Sequence, residues 1–374
     1  MIVRLILLGA GIGVLTMILL ALAKRKMTEP LCLAWGLLAL LLIVAGAALR
    51  PEGWKQYISA GGLSLAVLAG VCVFAAAYVV SLVVSELSMG MRETAMQISL
   101  LRFENEQRAP EAPEERRREL LVIIPAFNEE KNLPGLFRQM KEAGVEEFAD
   151  VLVIDDGSSD GTYRRVRELG GTCVRCIFHQ GYGGALQTGY KYAVEKGYSY
   201  VIQADADGQH DMCNIAPLYR ALQEKDGCGR QPDLVLGSRF LPGSSSFPVS
   251  RVKMLVIGSF RLILRAAAGQ RITDPTTGLQ GMNARVLSLY SGYGYFDHEY
   301  PDANIIMQML LLGFQVREIP AVMHVRAAGR SMHSGLRPLV YLYRMVFSMS
   351  AVYIRGRLLG RERASGDASV EQNF

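Results

Sequence analysis

The sequence predicts an α/β domain with a mostly parallel sheet and helices on both faces, preceded by three membrane-spanning helices. Two observations lead to this prediction. Three long, nearly uncharged stretches occupy the N-terminal part of the chain, and short β-branched runs alternate with helical patterns after residue 120. Of the 374 residues, 50% are hydrophobic and 20% are charged, and this composition excludes a disordered chain.

The uncharged stretches cover residues 2–23, where Arg4 is the one charged residue, residues 31–49 and residues 58–85. Each can cross the hydrocarbon core of a bilayer, which takes about 20 helical residues. The alternative for the first stretch is a signal peptide. Its weak positive start and the two apolar stretches that follow argue against that alternative. Residues 1–85 are therefore predicted to form three membrane-spanning helices.

Basic residues indicate how these helices are oriented. Lys24, Arg25 and Lys26 lie between the first two stretches, and arginines are frequent after the third. The positive-inside rule places both regions in the cytoplasm of a multi-pass cell-membrane protein. The net charge of +5 and the pI of about 8.8 fit basic residues facing anionic lipid. They show no nucleic-acid-binding pattern, so no nucleic acid partner is predicted.

Residues 86–119 read as a stalk and linker. Leu87, Met91, Ile98 and Leu101 recur at near-helical spacing, and a stretch with two prolines at residues 109–113 then ends the helical pattern. A solvated stalk is favoured over a coiled-coil dimer, and the oligomeric state stays open. A new domain is expected to begin near Leu120.

The strand predictions for this domain cover residues 120–125, 151–154, 173–178, 200–203, 234–237 and 315–325. Helical patterns cover residues 132–143, the segment up to about residue 169, and residues 183–196. Strands alternating with helices indicate a parallel sheet covered on both faces. Ligands bind such sheets beyond the carboxyl ends of the strands, where the polar clusters of this sequence fall.

The first polar cluster is the string Asp-Ala-Asp-Gly-Gln-His at residues 205–210. Asp205 and Asp207 can face the same way, and with Gln209 they offer the hard oxygen ligands that Mg²⁺ or Mn²⁺ prefers beside a diphosphate. A pair of aspartates at this spacing is usually a turn. Its position directly after a predicted strand, level with the other clusters, favours a metal site.

The second cluster begins with Asp155 and Asp156 and continues as Gly-Ser-Ser-Asp-Gly-Thr. One carboxylate can accept a hydrogen bond from a base or ribose, while Gly157 permits close approach. The alternative is a turn in which Asp160 or Ser159 caps the next helix. Both can hold at once, with Asp160 as the favoured cap.

Together these strings resemble glycosyltransferase family 2, with its GT-A (Rossmann-like) fold, over about residues 120–334. The resemblance rests on residues 124–129, the Asp155 cluster, residues 205–210, residues 237–239 (Gly-Ser-Arg) and residues 273–278. The branch that looks closest is the dolichyl- and polyprenyl-phosphate sugar synthases. The predicted domains are therefore residues 1–85, the linker 86–119, a GT-A domain 120–335, and an interfacial helix and tail 336–374.

The resemblance implies roles for individual residues. A nucleotide-sugar pocket would be lined by Pro125, Ala126, Asn128, Glu129, Asp155, Asp156, Asp205 and Ala206. The metal ligands would be Asp205, Asp207 and Gln209, and the catalytic residues Asp207, Arg239 and Asp302. Phosphate or acceptor would contact Arg239, Arg251, Arg326, Arg330 and Ser331.

Two departures from the family pattern are visible. His179 stands where the family often has asparagine, which puts its nucleotide contact in question. The Gln-x-x-Arg-Trp motif of polymerising relatives is absent, because both tryptophans, Trp35 and Trp54, lie in the membrane part. Synthesis of a cellulose- or hyaluronan-like polymer is therefore not expected.

Two stretches are candidates for contact with the membrane surface. Val252, Val256, Phe260, Ile263 and Ala267 share one helical face, opposite Arg251, Arg261 and Arg265, as in a basic interfacial helix. The alternative is an ordinary surface helix packed on the sheet. Residues 338–354 are apolar but interrupted by Arg344, which favours a second interfacial helix over a fourth span.

The predicted activity is metal-dependent, inverting transfer of a hexose from a UDP- or GDP-linked donor to a polyprenyl (dolichyl or undecaprenyl) phosphate. The acceptor phosphate is already ionised and needs no general base. A hydroxyl acceptor on a lipid-linked saccharide would need a base. Asp302 stands where such a base occurs in the family, and it could equally position the acceptor or a loop. An inactive membrane scaffold is the third hypothesis. The donor sugar and its nucleotide base stay open.

Overall fold

A computed structural model describes residues 2–48, 60–107, 118–247, 249–292, 296–298, 301–325 and 337–364. The helices are α1 (Ile2–Ala23), α2 (Glu29–Ala48), α3 (Ala60–Gln107), α4 (Leu133–Glu142), α5 (Val145–Phe148), α6 (Thr162–Glu168), α7 (Tyr182–Glu195), α8 (Ile215–Gln223), α9 (Arg251–Ala268), α10 (Ala284–Ser291), α11 (Ala303–Leu311) and α12 (Arg337–Ala364). The strands are β1 (Leu120–Ala126), β2 (Asp150–Asp155), β3 (Thr172–Arg175), β4 (Tyr200–Gln203), β5 (Leu234–Ser238), β6 (Gln280–Asn283) and β7 (Val316–Pro320).

The chain forms two compact units. The first contains Met1–Met91 and Val346–Arg361, and the second contains Arg92–Met345 and Glu362–Phe374. The long helices α3 and α12 each supply residues to both units.

The first unit is an apolar helical bundle. Three helical segments of the described residues are long and apolar enough to cross a membrane, which confirms the three predicted stretches: Arg4–Ala23, Pro30–Ala47 and Leu68–Gln107. Helices α1 and α2 pack closely, since a Cβ atom at Gly11 would stand 2.6 Å from the Ile43 side chain. Arg355 of α12 donates a 2.8 Å hydrogen bond to the Ala23 carbonyl at the end of α1.

The second unit is built on a seven-stranded sheet of order β3-β2-β1-β4-β6-β5-β7. All neighbours pair in parallel except β6, which is antiparallel to both β4 and β5. The prediction of a mostly parallel sheet is confirmed. Strand β6 has no counterpart among the predicted strands, because its sequence Gln-Gly-Met-Asn carries no β-branched residue.

Burial and register explain how the sheet brings the polar clusters together. Every residue of β1 is buried, as expected for a central strand covered on both faces. Ala126 pairs with Asp155, and Ile123 pairs with Gln203, so β1, β2 and β4 end at the same edge. The predicted last strand, residues 315–325, is shorter in the structure and ends at Pro320.

Helix α9 buries one narrow face. Its buried residues are Ile257, Phe260 and Leu264, and Val252, from the predicted apolar face, is 62% exposed. Arg261, predicted to lie on a separate basic face, instead donates to the Thr273 carbonyl at 2.7 Å. Phe260 also packs edge-on against Tyr341 of α12, so tertiary contacts decide which face of α9 is buried.

Candidate active site

The loop after β1 is tied to the loop after β2. Asn128 has a positive φ of 57°, and its side-chain Oδ1 accepts hydrogen bonds from the backbone of Ser159 at 2.9 Å and Asp160 at 3.3 Å. Asp160 in turn accepts from the backbone N–H of Thr162 at 3.0 Å, but the N-cap of α6 is Gly161, so neither Asp160 nor Ser159 is the predicted cap. The side chain of Asn128 therefore holds two loops together at the edge of the sheet.

The other predicted pocket residues near β1 and β4 lie at the ends of these strands or just beyond them. Pro125 and Ala126 end β1 and are buried, and Ala206, which follows β4, is buried as well. Glu129 lies just beyond β1, and its backbone N–H donates to the Thr162 hydroxyl at 2.9 Å. Pro125, Ala126 and Ala206 can shape a pocket, whereas Glu129 also carries a part-exposed carboxylate that accepts from the Asn132 amide.

Asp155 is fully buried at the end of β2. Its Oδ1 accepts from the Ser158 backbone at 3.0 Å. Its Oδ2 makes no hydrogen bond within the described residues, although the Nε of Arg175 lies 3.5 Å away. An acceptor oxygen without a hydrogen-bond donor is costly in a protein interior, and the charge of the nearby Arg175 offsets part of that cost.

Asp156 is engaged by its own surroundings. Its carboxylate accepts from the backbone of Gln180 at 2.7 Å and Gly181 at 2.9 Å, and it pairs with His179 Nδ1 at 2.8 Å. Burial raises the pKa of Asp156 to about 6, against the hydrogen bonds and the His179 charge. Asp156 therefore fixes the loop before α7, and the half-exposed His179 ring, stacked on Phe127 at 4.0 Å, lies at the surface of the site.

The residues predicted to bind metal lie in the loop after β4. Asp205 Oδ1 accepts from the Tyr182 hydroxyl at 2.8 Å, and the Asp205 backbone N–H donates to His210 Nδ1 at 3.0 Å. Burial and the adjacent Asp205 hold the pKa of Tyr182 well above its ordinary value, so its hydroxyl is the donor. Asp207 Oδ1 accepts from the Gln209 backbone at 3.0 Å. Sequence reasoning did not single out Tyr182.

These side chains fit a phosphate-bound divalent cation better than an all-protein metal cage. In the part of the chain that the structure describes, no group of three or more His, Cys, Asp or Glu side chains could hold a metal ion. Mg²⁺ and Mn²⁺ at such sites use one or two carboxylates and take further oxygens from phosphate and water. Two aspartates and Gln209 on one loop meet that requirement.

Arg239, at the end of β5, is held by the 273–278 string. Its Nε and Nη2 donate to the two carboxylate oxygens of Asp274, both at 2.6 Å, and Nη2 also donates to the Thr276 hydroxyl at 2.7 Å. Burial opposes the charge, but the hydrogen bonds and charge of Asp274 raise the pKa of Arg239. The guanidinium is thus fixed, with Nη1 the nitrogen that makes no hydrogen bond among the described residues.

Asp302 precedes α11 and accepts from the Tyr341 hydroxyl at 2.8 Å. Burial raises the pKa of Asp302 to about 6, opposed by the Tyr341 hydrogen bond and the Arg239 charge, while the charges of Asp297 and Asp205 add to the rise. A buried carboxyl with a raised pKa beside two other site residues is typical of functional sites.

Lys253 on α9 is a cation of the site that sequence reasoning missed. Burial and the nearby Arg239 lower the pKa of Lys253, against the charges of Asp274 and Asp302. Arg251, the predicted phosphate ligand, begins the helix and is exposed. The sequence signal for Lys253 was Ser250, because a serine cap fixes where a helix starts. The Ser250 hydroxyl accepts from the Lys253 backbone N–H at 3.3 Å.

Arg326, Arg330 and Ser331 lie outside the described residues. The segment just before them is fixed on the loop that carries Asp207, since the backbone N–H of His324 donates to the Gln209 carbonyl at 2.8 Å. The His324 ring also contacts Asp211 at 2.6 Å.

The sequence of this chain is similar to those of known proteins. The sequence model of Glycosyl transferase family 2 matches residues 121–288. The undecaprenyl-phosphate mannosyltransferase of Micrococcus luteus is 31% identical over 230 residues, which are 58% of this chain and 88% of that protein. The chain belongs to glycosyltransferase family 2. This confirms the predicted family, and the protein is a glycosyltransferase.

Other relatives of this family 2 glycosyltransferase have similar names. The polyprenol monophosphomannose synthase of Mycolicibacterium smegmatis is 29% identical over 276 residues, covering 70% of this chain and 97% of that protein. The dolichol-phosphate mannosyltransferase of Pyrococcus furiosus is 29% identical over 232 residues, covering 59% and 61%.

Proposed function

We propose that this glycosyltransferase transfers a hexose from a nucleoside-diphosphate sugar to a polyprenyl phosphate in the membrane, with inversion at the anomeric carbon. The main support for the proposal is that acidic and basic side chains lie near each other at one edge of the sheet. Asp205 and Asp207 suit a metal-bound diphosphate, while Arg239 and Lys253 supply positive charge close to Asp302. The names of the relatives support a lipid phosphate acceptor.

Residues 120–335 would form the catalytic domain, with the donor nucleotide at the ends of β1 and β2. The Oδ2 of Asp155, which lies 3.5 Å from Arg175 Nε and makes no hydrogen bond within the described residues, offers an acceptor for an N–H or O–H group of the nucleoside. Phe127 and His179 add an aromatic surface, on which a base can stack, at the mouth of the same pocket. UDP- and GDP-linked sugars both fit this chemistry.

A bound Mg²⁺ or Mn²⁺ would neutralise negative charge on the diphosphate as it leaves. Asp205, Asp207 and Gln209 are the residues that would hold it. In the transfer step, the bond between the sugar C1 and the β-phosphate oxygen breaks, and a bond forms between C1 and an oxygen of the lipid phosphate. The products are the nucleoside diphosphate and the polyprenyl-phosphate sugar.

The acceptor phosphate is its own nucleophile, so this chain's task is to position it. Lys253 and Nη1 of Arg239 would bind its oxygens, and Arg326, Arg330 and Ser331 stay predicted phosphate contacts. The salt-bridged Arg239 is pre-oriented by Asp274, so binding requires little ordering of that side chain. No general base is needed in this mechanism.

A second candidate function is transfer to a hydroxyl group of a lipid-linked saccharide. The raised pKa of Asp302 favours it, because a general base works best with a pKa near the working pH. An inactive scaffold receives no support from the structure, since the Asp205, Asp207 and Asp155 geometry is intact. The catalytic domain would lie on the cytoplasmic side, where nucleotide sugars are available.

The test uses the full chain, purified in detergent or nanodiscs, with labelled UDP- and GDP-sugars, Mn²⁺, and undecaprenyl or dolichyl phosphate. We expect label in the organic extract as an acid-labile lipid-phosphate sugar, and none after chelation of the metal. Transfer to a dephosphorylated lipid-linked saccharide, but not to the lipid phosphate, would favour the second function. An Asp302→Asn variant that keeps transfer to lipid phosphate supports the base-free mechanism.

A further inference from the structure

Tyr182 is a tyrosine of the site that the proposed function leaves without a role. It is the first residue of α7, and its hydroxyl donates to Asp205 Oδ1 at 2.8 Å. The backbone of Gly278 faces this hydrogen bond, since a Cβ atom there would lie 3.1 Å from the Tyr182 hydroxyl and 3.2 Å from Asp205 Oδ2. No larger residue fits at 278 without disturbing the pair.

The Asp205 carboxylate is thereby oriented from two sides. Tyr182 holds Oδ1, and the His210 ring lies 3.6 Å from Oδ2 while its Nδ1 accepts from the Asp205 backbone. Asp205 is therefore the carboxylate whose direction α7 sets.

We propose that Tyr182 is a positioning residue for the divalent cation, acting through Asp205. The inference rests on the proposed function, in which Asp205 is a metal ligand. Hydrogen bonds to a ligating carboxylate fix its orientation, and losing such a partner typically costs about 10- to 100-fold in metal affinity. Because the Tyr182 hydroxyl donates to a proposed metal ligand, its effect is expected in metal affinity more than in donor recognition.

The test compares Tyr182→Phe with Tyr290→Phe. Each change removes one hydroxyl from a tyrosine of the same domain, but the Tyr290 hydroxyl makes no hydrogen bond within the described residues. Mn²⁺ binding to the purified full chain is measured by electron paramagnetic resonance, with UDP or GDP present. We expect the Mn²⁺ dissociation constant to rise about 10- to 100-fold in Tyr182→Phe and to stay unchanged in Tyr290→Phe.

A Gly278→Ala variant probes the same contact from the other side and covers the case in which Tyr182→Phe does not fold. It is expected to weaken Mn²⁺ binding as well, by displacing the Tyr182 hydroxyl or Asp205. Thermal unfolding of each variant checks the fold. Unchanged Mn²⁺ affinity in folded Tyr182→Phe overturns the inference and leaves the proposed function standing. Absence of Mn²⁺ binding by the unmodified protein would instead contradict the metal site of the proposed function.

Discussion

Single carboxylates and cations of the site separate into those that hold the protein together and those that remain available for ligands. Asp156 and Asp274 accept several hydrogen bonds from the protein itself, whereas Asp205, Asp207 and Lys253 are the residues proposed to act on the metal and the acceptor phosphate. This distinction decides which substitutions should affect catalysis and which should affect folding.

Asp207→Asn keeps the shape of the side chain and removes its charge. We expect sugar transfer to fall roughly 100-fold or more, because the charge that holds the cation on the diphosphate is weakened. Transfer is measured as labelled lipid with saturating donor. Asp226→Asn, in a loop where that carboxylate accepts hydrogen bonds from its own backbone, serves as the control and should keep full activity. Equal rates in the two variants would remove Asp207 from the metal site.

Lys253→Met should weaken acceptor binding. A hydrogen bond to a charged group contributes about 1.5–3 kcal/mol, so the KM for polyprenyl phosphate should rise roughly 10- to 100-fold while the KM for donor changes little. Arg251→Met, two residues earlier on α9 and exposed, is the matched control. A larger effect at Arg251 than at Lys253 would show that the predicted phosphate ligand was the right one.

The raised pKa of Asp302 has a consequence for stability. The group titrates at 3.8 in the unfolded chain and at about 6 in the folded one, so the folded state keeps a proton that the unfolded state has lost. Its contribution to the free energy of unfolding therefore falls as pH rises from about 4 to about 6. Asp302→Asn should gain stability relative to the unmodified protein across that window, and the gain should persist above it.

Thermal unfolding of both proteins at about pH 4, 6 and 8, followed by circular dichroism, measures this difference. The asparagine side chain can still accept a hydrogen bond from the Tyr341 hydroxyl, so the substitution removes the titrating group and keeps this contact. A stability difference that is constant over the whole range would mean that Asp302 titrates at its ordinary pKa.

At the scale of elements, glycines show where helices touch the sheet. A Cβ atom at Gly189 in α7 would stand 2.7 Å from the Ile123 side chain of β1, whereas one at Gly135 in α4 would meet nothing within 4 Å. Gly189→Ala should destabilise the domain by about 1–3 kcal/mol through overpacking. Gly135→Ala should instead stabilise it by about 0.5–1 kcal/mol, because alanine favours a helix.

Chemical denaturation of the two variants provides the measurement, with the change in unfolding free energy as the readout. Opposite signs are the expected result. Destabilisation by both changes would mean that α4 packs as tightly as α7 at these positions.

The sequence was sufficient for elements with a clear pattern and insufficient where tertiary contacts decide. Strand β4 is found at the predicted residues, because its apolar run stands directly before a polar cluster. Strand β6 was missed, since two neighbouring strands stabilise a segment with little strand propensity of its own. On α9, contacts such as that of Phe260 with Tyr341 decide which residues are buried, and of Ile257, Phe260 and Leu264 the hydrophobic pattern had placed only Phe260 on the apolar face.

The same limit applies to the site. Motif spacing predicted that the clusters meet at one edge, and the sheet register brings them there. Motif spacing could not predict that the Asp156 carboxylate accepts hydrogen bonds from the backbone of Gln180 and Gly181. Nor could it predict that Lys253 lies near the charges of Arg239, Asp274 and Asp302. These contacts join residues distant in sequence and depend on side-chain packing.

At the scale of the whole molecule, the proposed orientation can be tested by labelling. Cysteines placed at Lys26 and at Glu52 lie in the first and second loops between the predicted spans. A membrane-impermeant maleimide applied to intact cells should label Glu52→Cys and not Lys26→Cys, if the basic first loop is cytoplasmic. The exposed native Cys228 of the catalytic domain is an internal control, labelled only after lysis. The reverse pattern would place the catalytic domain outside the cell.

The reversed direction of β6 also constrains how this protein can vary. Asp155 ends β2 and Asp207 follows β4, and both strands lead through loops toward helices, so a change of loop length there does not shift a strand register. Residues 274–279 instead lead into β6, which is paired on both sides. Asp274, at the start of this segment, binds Arg239, and Gln280, directly after it, pairs with Gln203 and Leu236. An insertion or deletion there would shift the register or break the Arg239 clamp. Changes of substrate among relatives are therefore expected to arise in the other loops.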